Sequence, residues 1–575
     1  MNWLDYAQPP RLELEGRLQE RALGRAMARW VQSHGGGAVL AELAARAAVA
    51  ELHGDTALAP LDGERCQAIA GESMVGDGRE TRPFVLDAAG RFYLWRNYVH
   101  ECEVAALIGE RRRAATPLPV DEAGLAALFP GGDPARDGAQ REAVRAVGGR
   151  RLFVLTGGPG TGKTTTVLRM LLRLARDGIA ARDGIAVAAP TGKAAQRLVQ
   201  SLRQESARLR EQLPADWAPY FELLPASEAL TVHRLLGWSP GRQAYGRGPD
   251  SPISAGVVVV DEASMLDLAQ LRALLRALSP TATLVLVGDA DQLDPVGAGS
   301  VLGDLVSVLE AQQAPELVRL RHSFRADSRL LPVLEAVRLG QAKALQAALA
   351  AAGGQGRAHP VENSAELARV LRRWADGLAE AGSPAPLAGD EAAAATKALR
   401  ALAERQLLAA LREGSFGTEA INAAIERHLR QRWQVPADAP WYPGRAVMVT
   451  RNDYGLRLFN GDIGLCLRGA DGRLRVWFET EAGARAFAPG ALPAHEPAFA
   501  ITIHKSQGSE YDQAAVLLPP DPEHRILSRQ LLYTGLSRAR RALELWAPQD
   551  SLDAALARPA RRAGGLAERL AAAGP

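Results

Sequence analysis

Lysine is almost missing from this chain: Lys163, Lys193, Lys343, Lys397 and Lys505 are five residues among 68 basic ones in 575. Wherever positive charge alone is wanted the chain uses arginine, so each retained lysine marks a place that needs a compact ammonium rather than a planar fork. Cysteine is as scarce. Cys66, Cys102 and Cys466 are far apart, match no metal-ligand spacing and cannot all pair within the chain, which excludes a disulfide framework and a cysteine metal cluster and favours a reducing cytoplasm. No run of about 18 apolar residues is present, and the opening "MNWLDYAQPP" lacks the basic region and apolar core of a signal peptide. A cytoplasmic protein with no membrane partner is expected. Charge of either sign is nearly balanced, +3 overall, which excludes a uniformly basic coat and confines any nucleic-acid surface to a local groove. Aromatic residues make up 5%, yet the 47% hydrophobic and 23% charged content is that of an ordinary globular protein and argues against disorder.

The length exceeds the roughly 250–300 residues at which one core stops growing, so two to four domains are expected. Residues 1–115 mix Ala-rich amphipathic helices with the strand-like "RFYLWRNYVHE" and close on Arg111-Arg112-Arg113 before a Pro-containing link, a separate N-terminal, mainly helical domain. Beyond it, "RLFVLTG", "GIAVAAP", "GVVVVDEAS" and "ATLVLVGD" are short β-branched runs of the kind buried in parallel sheets, alternating with helical segments: an α/β pattern. The segment 375–400 reads as a Pro/Ala-rich link with a weak claim to order. Residues 441–495 change character, with Asn-Gly and Asp-Gly turns between alternating strands, and read as a small inserted β-barrel.

Gly157-Gly158-Pro159-Gly160-Thr161-Gly162-Lys163-Thr164 fits GxxxxGK[ST] between an apolar strand and the helix-like "TTTVLRMLLRLARD", the context a P-loop requires. Its glycines let backbone N–H groups curl round phosphates, with Thr165 in the following turn; Lys163 reaches the β and γ phosphates of ATP, and the Thr164 hydroxyl ligates Mg²⁺. Asp261, at the tip of "VVVVDEAS", is placed to hold that Mg²⁺ through water, and Glu262 beside it suits a general base for the attacking water. A third strand ends in Asp289 and Gln292, and a glutamine there senses the γ-phosphate through the same water.

The order of blocks is more specific than any one of them. The P-loop, "APTGKAAQRL" (189–198), "TVHRLLG" (231–237), "DEAS", "GDADQLDPV", "LRHSFR" (320–325), "AITIHKSQGSEYD" (500–512) and "LYTGLSRAR" (532–540) resemble the ordered motifs of superfamily 1 helicases, in the branch that moves 5′ to 3′. "ALREGSFGTEAIN" (410–422) and "RFYLWRNYVHE" resemble the alpha subunits of bacterial exodeoxyribonuclease V, the RecD family, and the likeness runs from about 85 to 550. The resemblance implies two RecA-like P-loop motor domains, 116–325 and 326–440 with 496–575, an SH3-like barrel at 441–495, and partner docking by 1–115. It implies ATP and Mg²⁺ between the motors, single-stranded or duplex-end DNA across them, and RecB-like and RecC-like partner subunits. By motif, Gln140 takes the place of an adenine-recognising glutamine, and Arg325 and Arg538 those of two arginines that reach the γ-phosphate. Thr191, Gly192, Lys193, His233, His504, Lys505, Ser506 and Gln507 become candidates for the strand-facing rim, contacting phosphates without reading bases. Asp294 departs from the pattern, which has proline there, and leaves the stiffness of its loop in question.

The expected activity is an ATP-dependent 5′ to 3′ DNA helicase within a helicase-nuclease complex for break repair, its nuclease in another subunit because no second metal-carboxylate cluster is visible here. A stand-alone helicase and a non-translocating ATP-binding regulatory subunit are the alternatives. The segment 237–254 reads equally as a projecting hairpin or a plain loop.

Overall fold

The β-branched runs become the sheet that organises the first half of the molecule. The computed structural model describes residues 11–179, 184–225, 230–324, 329–381, 385–436, 438–453, 455–480 and 483–574. The chain divides into two compact units, one built of Glu15–Phe324 with Arg561–Pro575, the other chiefly of Arg325–Ala560. In the first, six parallel strands lie in the order Leu317–Leu320, Leu152–Gly157, Thr283–Gly288, Val257–Val260, Ile185–Ala189, Leu230–Thr231. Successive residues of a strand face opposite ways, and both faces are covered. Val154, Val258, Val260, Leu284 and Leu286 enter one core with the helices Leu268–Ala277 and Val301–Ala311. Phe153, Leu155, Val257, Val259, Val285 and Val287 enter the other, with Lys163–Arg176 and Gly192–Arg210. Burial on both sides explains why these strands read as unbroken apolar runs.

The N-terminal residues hold a core of their own, in which Val31, Leu40, Leu43, Ile69, Phe84 and Phe92 are buried. The expected boundary at 115 nevertheless separates elements that pack together, for Glu15–Phe324 form one compact unit. The helix Trp95–Arg113 buries Val104, Ala105 and Ile108 in the sheet's own core. Its basic end packs there too: the Arg111 guanidinium donates to the carbonyls of Ala282 (2.9 Å) and Ser279 (3.1 Å), and Arg112 pairs with Glu316 at 2.6 Å. Residues 561–575, assigned from sequence to the second motor, also belong to this first unit. Leu566 and Leu570 of the helix Leu566–Ala573 join the same core, and the buried Glu101 carboxylate accepts the Gly565 N–H at 3.1 Å and the Arg569 Nε–H at 3.2 Å. Sequence position does not reveal which core a short amphipathic helix joins, since either would bury its apolar stripe.

The second unit carries a five-stranded parallel sheet in the order Gly356–His359, Ala539–Trp546, Tyr511–Leu517, Arg405–Ala409, Ala500–Thr502. Its last edge is closed by the buried Asn422, whose amide accepts from Ala500 N–H and donates to Ala500 C=O, both at 2.8 Å. Within this unit, Ala446–Val449, Ile463–Arg468, Leu474–Thr480, Gly483–Phe487 and His495–Pro497 form a five-stranded antiparallel sheet around Val447, Cys466, Val476 and Phe478. Much of the expected link at 375–400 is ordered. The helices Ser364–Ala381 and Glu391–Ala403 occupy most of it, the second capped by Asp390, which accepts from the N–H groups of Ala392 and Ala393. Alanine is the strongest helix former, and its density outweighs the nearby prolines.

Candidate functional site

Three neighbouring strands of the first unit end close together: Gly288 pairs with Thr156, and Leu286 with both Val154 and Val260, the last residue of its strand. The groups that follow them, the P-loop, Asp261-Glu262 and Asp289, therefore gather at one carboxyl edge, where ligands of open α/β sheets bind. The P-loop turns through left-handed Gly160 and Gly162 (φ +72° and +82°) into the helix Lys163–Arg176. A side chain at Gly162 would collide with the Gln140 amide, so glycine is required there. Thr161 Oγ1 donates to Gly158 O at 2.8 Å, Thr166 Oγ1 donates to Gly162 O at 2.9 Å, and Lys163 Nζ donates to the carbonyls of Gly157 (2.7 Å) and Gly158 (3.0 Å). Thr164 and Thr165 stand in the first turn of that helix, at the end whose unpaired N–H groups favour an anion. Gln140 is buried and donates to Thr161 O at 3.2 Å, which fixes it against the loop.

The carboxylates behind the loop are held in low dielectric. Burial, then the neighbouring Glu262, push the Asp261 carboxyl up to about 6, against the pull of the Lys163 ammonium. Burial raises Asp289 as well, again opposed by Lys163. Two carboxylates, one of them buried, set close behind the loop call for a cation, so the donor set fits Mg²⁺, with Asp261 and the Thr164 hydroxyl as the residues that would hold it. Glu262 adopts a left-handed backbone (φ +51°), rare outside glycine, asparagine and aspartate, and its N–H donates to Asp261 Oδ1 at 2.9 Å. Strain of this sort persists where surrounding structure enforces it. Gln292 donates to Asp289 Oδ2 at 3.0 Å, while its own buried Oε1 has no partner among the described residues. A buried acceptor left so is one that a water's proton would satisfy.

The rim candidates divide by unit. Thr191 caps the helix Gly192–Arg210, accepting from Ala194 N–H at 3.2 Å, and Gly192 and Lys193 form its first turn. His233 packs edge-on against Trp238, ring centroids 6.0 Å apart. The segment 237–254 does contain a hairpin: Trp238–Ser239 pairs antiparallel with Ala244–Tyr245, and the Trp238 and Tyr245 rings meet at 5.1 Å. In the second unit, His504, Lys505 and Ser506 form a single turn beyond the edge strand, followed by Gln507. Lys505 Nζ is bonded to Glu496 at 2.6 Å, and Ser506 is buried with its hydroxyl donating to Ile503 O at 2.7 Å. Arg538 is buried too, its guanidinium donating to Thr534 O (3.0 Å), Ser509 O (3.2 Å) and Ser537 Oγ (3.2 Å). Arg325 lies outside the described residues.

Two residues beside the P-loop escape a reading by motif. Phe324 donates its N–H to Gly160 O at 2.8 Å and leaves 43% of its surface exposed, with the Arg136 guanidinium 5.8 Å from its ring centre. An aromatic just before Arg325 in a chain so poor in aromatics was the available signal. Arg319, on the strand next to the P-loop strand, pairs with Asp291 at 2.7 Å, and only strand order brings these two together.

Residues 140–298 match the AAA domain family and 497–545 the UvrD-like helicase C-terminal domain. The RecBCD enzyme subunit RecD of Mycobacterium tuberculosis is 39% identical over 84% of this chain and 80% of its own length. The chain belongs to the RecD family. The ATP-dependent RecD2 DNA helicase of Deinococcus radiodurans is 31% identical over 78% of this RecD-family chain but only 54% of its own length. Among solved structures, Pif1 helicase from Candida albicans aligns with 73% of the chain and 95% of its own at 17% identity, with a TM-score of 0.37. A match over that share of the chain includes the P-loop edge wherever it begins.

Proposed function

We propose that this chain is an ATP-dependent DNA helicase that moves 5′ to 3′ and serves as the motor subunit of a RecBCD-type helicase-nuclease complex in double-strand break repair. Its two parallel-sheet units act as RecA-like motors, the antiparallel insert as an SH3-like barrel, and the N-terminal core as the docking region for RecB-like and RecC-like partners. Nuclease activity belongs to another subunit. The observation that carries the proposal is the convergence of Lys163, Asp261, Glu262 and Gln292 on one sheet edge, in a chain of this family.

When bound, Mg²⁺ neutralises phosphate charge. The P-loop N–H groups and Lys163 hold the β and γ phosphates, and Gln140 with Phe324 recognises the adenine. Glu262 takes a proton from the attacking water, Gln292 orients that water, and Arg325 stabilises the charge that develops, joined by Arg538 once its guanidinium leaves the oxygens of Thr534, Ser509 and Ser537. Hydrolysis needs orientation and electrostatics more than covalent chemistry. Bound nucleotide shifts the motor toward the conformation it contacts more fully, and alternating grip on the strand gives steps. Greater coverage of the RecD-named relative than of the RecD2-named one favours the complex over a stand-alone helicase.

A duplex with a single-stranded tail on one side, given protein, Mg²⁺ and ATP with any partner motor inactivated, tests the proposal. Unwinding is expected from the 5′ tail alone; unwinding only from the 3′ tail overturns the branch assignment. Lys193→Ala is expected to weaken strand binding alike across sequences and to flatten log K against log salt by about one unit, the share of one phosphate contact. Titrations of a labelled oligonucleotide at several salt concentrations read this out, and an unchanged slope removes Lys193 from the rim.

A further inference from the structure

The loop that follows Gln292 has almost no side chains of its own with which to hold a shape. Leu293 is buried, Val296 is 85% exposed, and Pro295, Gly297, Ala298 and Gly299 carry little or nothing polar beyond the backbone. One side chain does the holding. The Arg562 guanidinium donates to the carbonyls of Pro295 and Gly297, and to that of Gly299 at 3.2 Å. Its Nε lies 3.8 Å from Asp294, whose other oxygen accepts the Ser300 hydroxyl at 2.5 Å. The Ala298 carbonyl is taken by Leu268 N–H at 3.0 Å, and Gly299 N–H donates to Gly54 O at 2.8 Å. Gly54 has a left-handed backbone (φ +93°), and a side chain there would occupy the space of the guanidinium. Asp294, where the family pattern has proline, thus gives up a stiff ring and gains a place beside Arg562.

Arg562 is itself anchored. Ala563 N–H donates to Asp55 Oδ1 at 2.8 Å, and Ala563 O accepts from Thr56 N–H at 2.9 Å. Gly565 N–H then reaches Glu101, a carboxylate with no exposed surface. The same residues mark a junction in the chain, since Ala560 is the last residue of the second unit and Arg561 the first to return to this one. A guanidinium fork holding three carbonyls, at the point where the chain comes back from the other motor, fixes the loop to that return.

We propose that Arg562 is a positioning residue for ATP hydrolysis: it holds the 294–299 loop, and through it Gln292, in the geometry that orients the attacking water. The proposal rests on Gln292 acting as the water-orienting group. Arginine suits the task because its donors form a rigid planar fork, whereas an ammonium offers a point charge. Displacing a positioning group by about 1 Å costs on the order of a hundredfold in rate.

Full-length Arg562→Ala, Arg562→Lys, Gln292→Ala and the double variant Gln292→Ala/Arg562→Ala, with Arg561→Ala at the exposed neighbour as control, are to be compared by DNA-stimulated ATPase, binding of a fluorescent ATP analogue and melting temperature. Arg562→Ala is expected to lower kcat at least tenfold with the nucleotide Kd within about twofold, with Arg562→Lys restoring the melting temperature but only part of kcat. The double variant is expected to be no slower than Gln292→Ala, because the two residues act through one water. Multiplied losses in the double variant overturn the proposal, as does normal kcat in Arg562→Ala or full recovery of kcat in Arg562→Lys. Normal kcat in Gln292→Ala refutes the water-orienting role itself, a result read independently of Arg562.

Discussion

Lys163→Ala protein is expected to fold normally and to hydrolyse ATP at no more than about a hundredth of the normal rate, the scale set by losing one preorganised charge contact to a reacting phosphate. The ammonium rests on the carbonyls of Gly157 and Gly158, so truncation deletes no core contact. Only the two loop carbonyls lose donors. What is removed is the cation that compensates phosphate charge and steadies half-buried Asp261 and buried Asp289, both of which it pulls downward. DNA-stimulated phosphate release together with a melting curve decides the matter. Near-normal turnover refutes the motor reading, whereas a collapsed melting temperature would show that the ammonium is structural.

Glu262→Gln is expected to bind ATP and DNA as well as the parent does, yet turn over about a hundredfold to ten-thousandfold more slowly, the range attributed to a positioned general base. Glutamine keeps the shape of the side chain, and the Glu262 N–H that holds Asp261 Oδ1 belongs to the backbone, so the metal-side geometry survives. The substitution also removes the second contribution to the raised Asp261 carboxyl, which sharpens rather than blurs the separation of binding from chemistry. With water activation lost, the nucleotide-bound, strand-gripping state should accumulate. Slower DNA release in ATP than in its absence is the signature to look for. Release that becomes faster in ATP removes Glu262 from the role of base.

The sequence by itself determined the nucleotide chemistry. A P-loop needs a strand, a glycine turn and a helix in immediate succession, and its carboxylates come at the ends of apolar runs, so local order suffices to place Lys163, Thr164, Asp261 and Glu262. The all-parallel sheets were legible for the same reason: burial on both faces writes itself as continuous β-branched residues. Tertiary structure decided everything that depends on partners distant along the chain. Trp95–Arg113 and Leu566–Ala573 are short stripes that any core would accept, and only packing shows that they complete the first unit. Ser506 and Arg538 carry donors that motif order aims at phosphates, but the fold buries both and gives those donors to nearby backbone carbonyls and a hydroxyl. Asp294 looked like a loss of stiffness because its compensation lies 268 positions on, at Arg562, and hydrogen bonds between residues so far apart leave no periodicity or spacing to read.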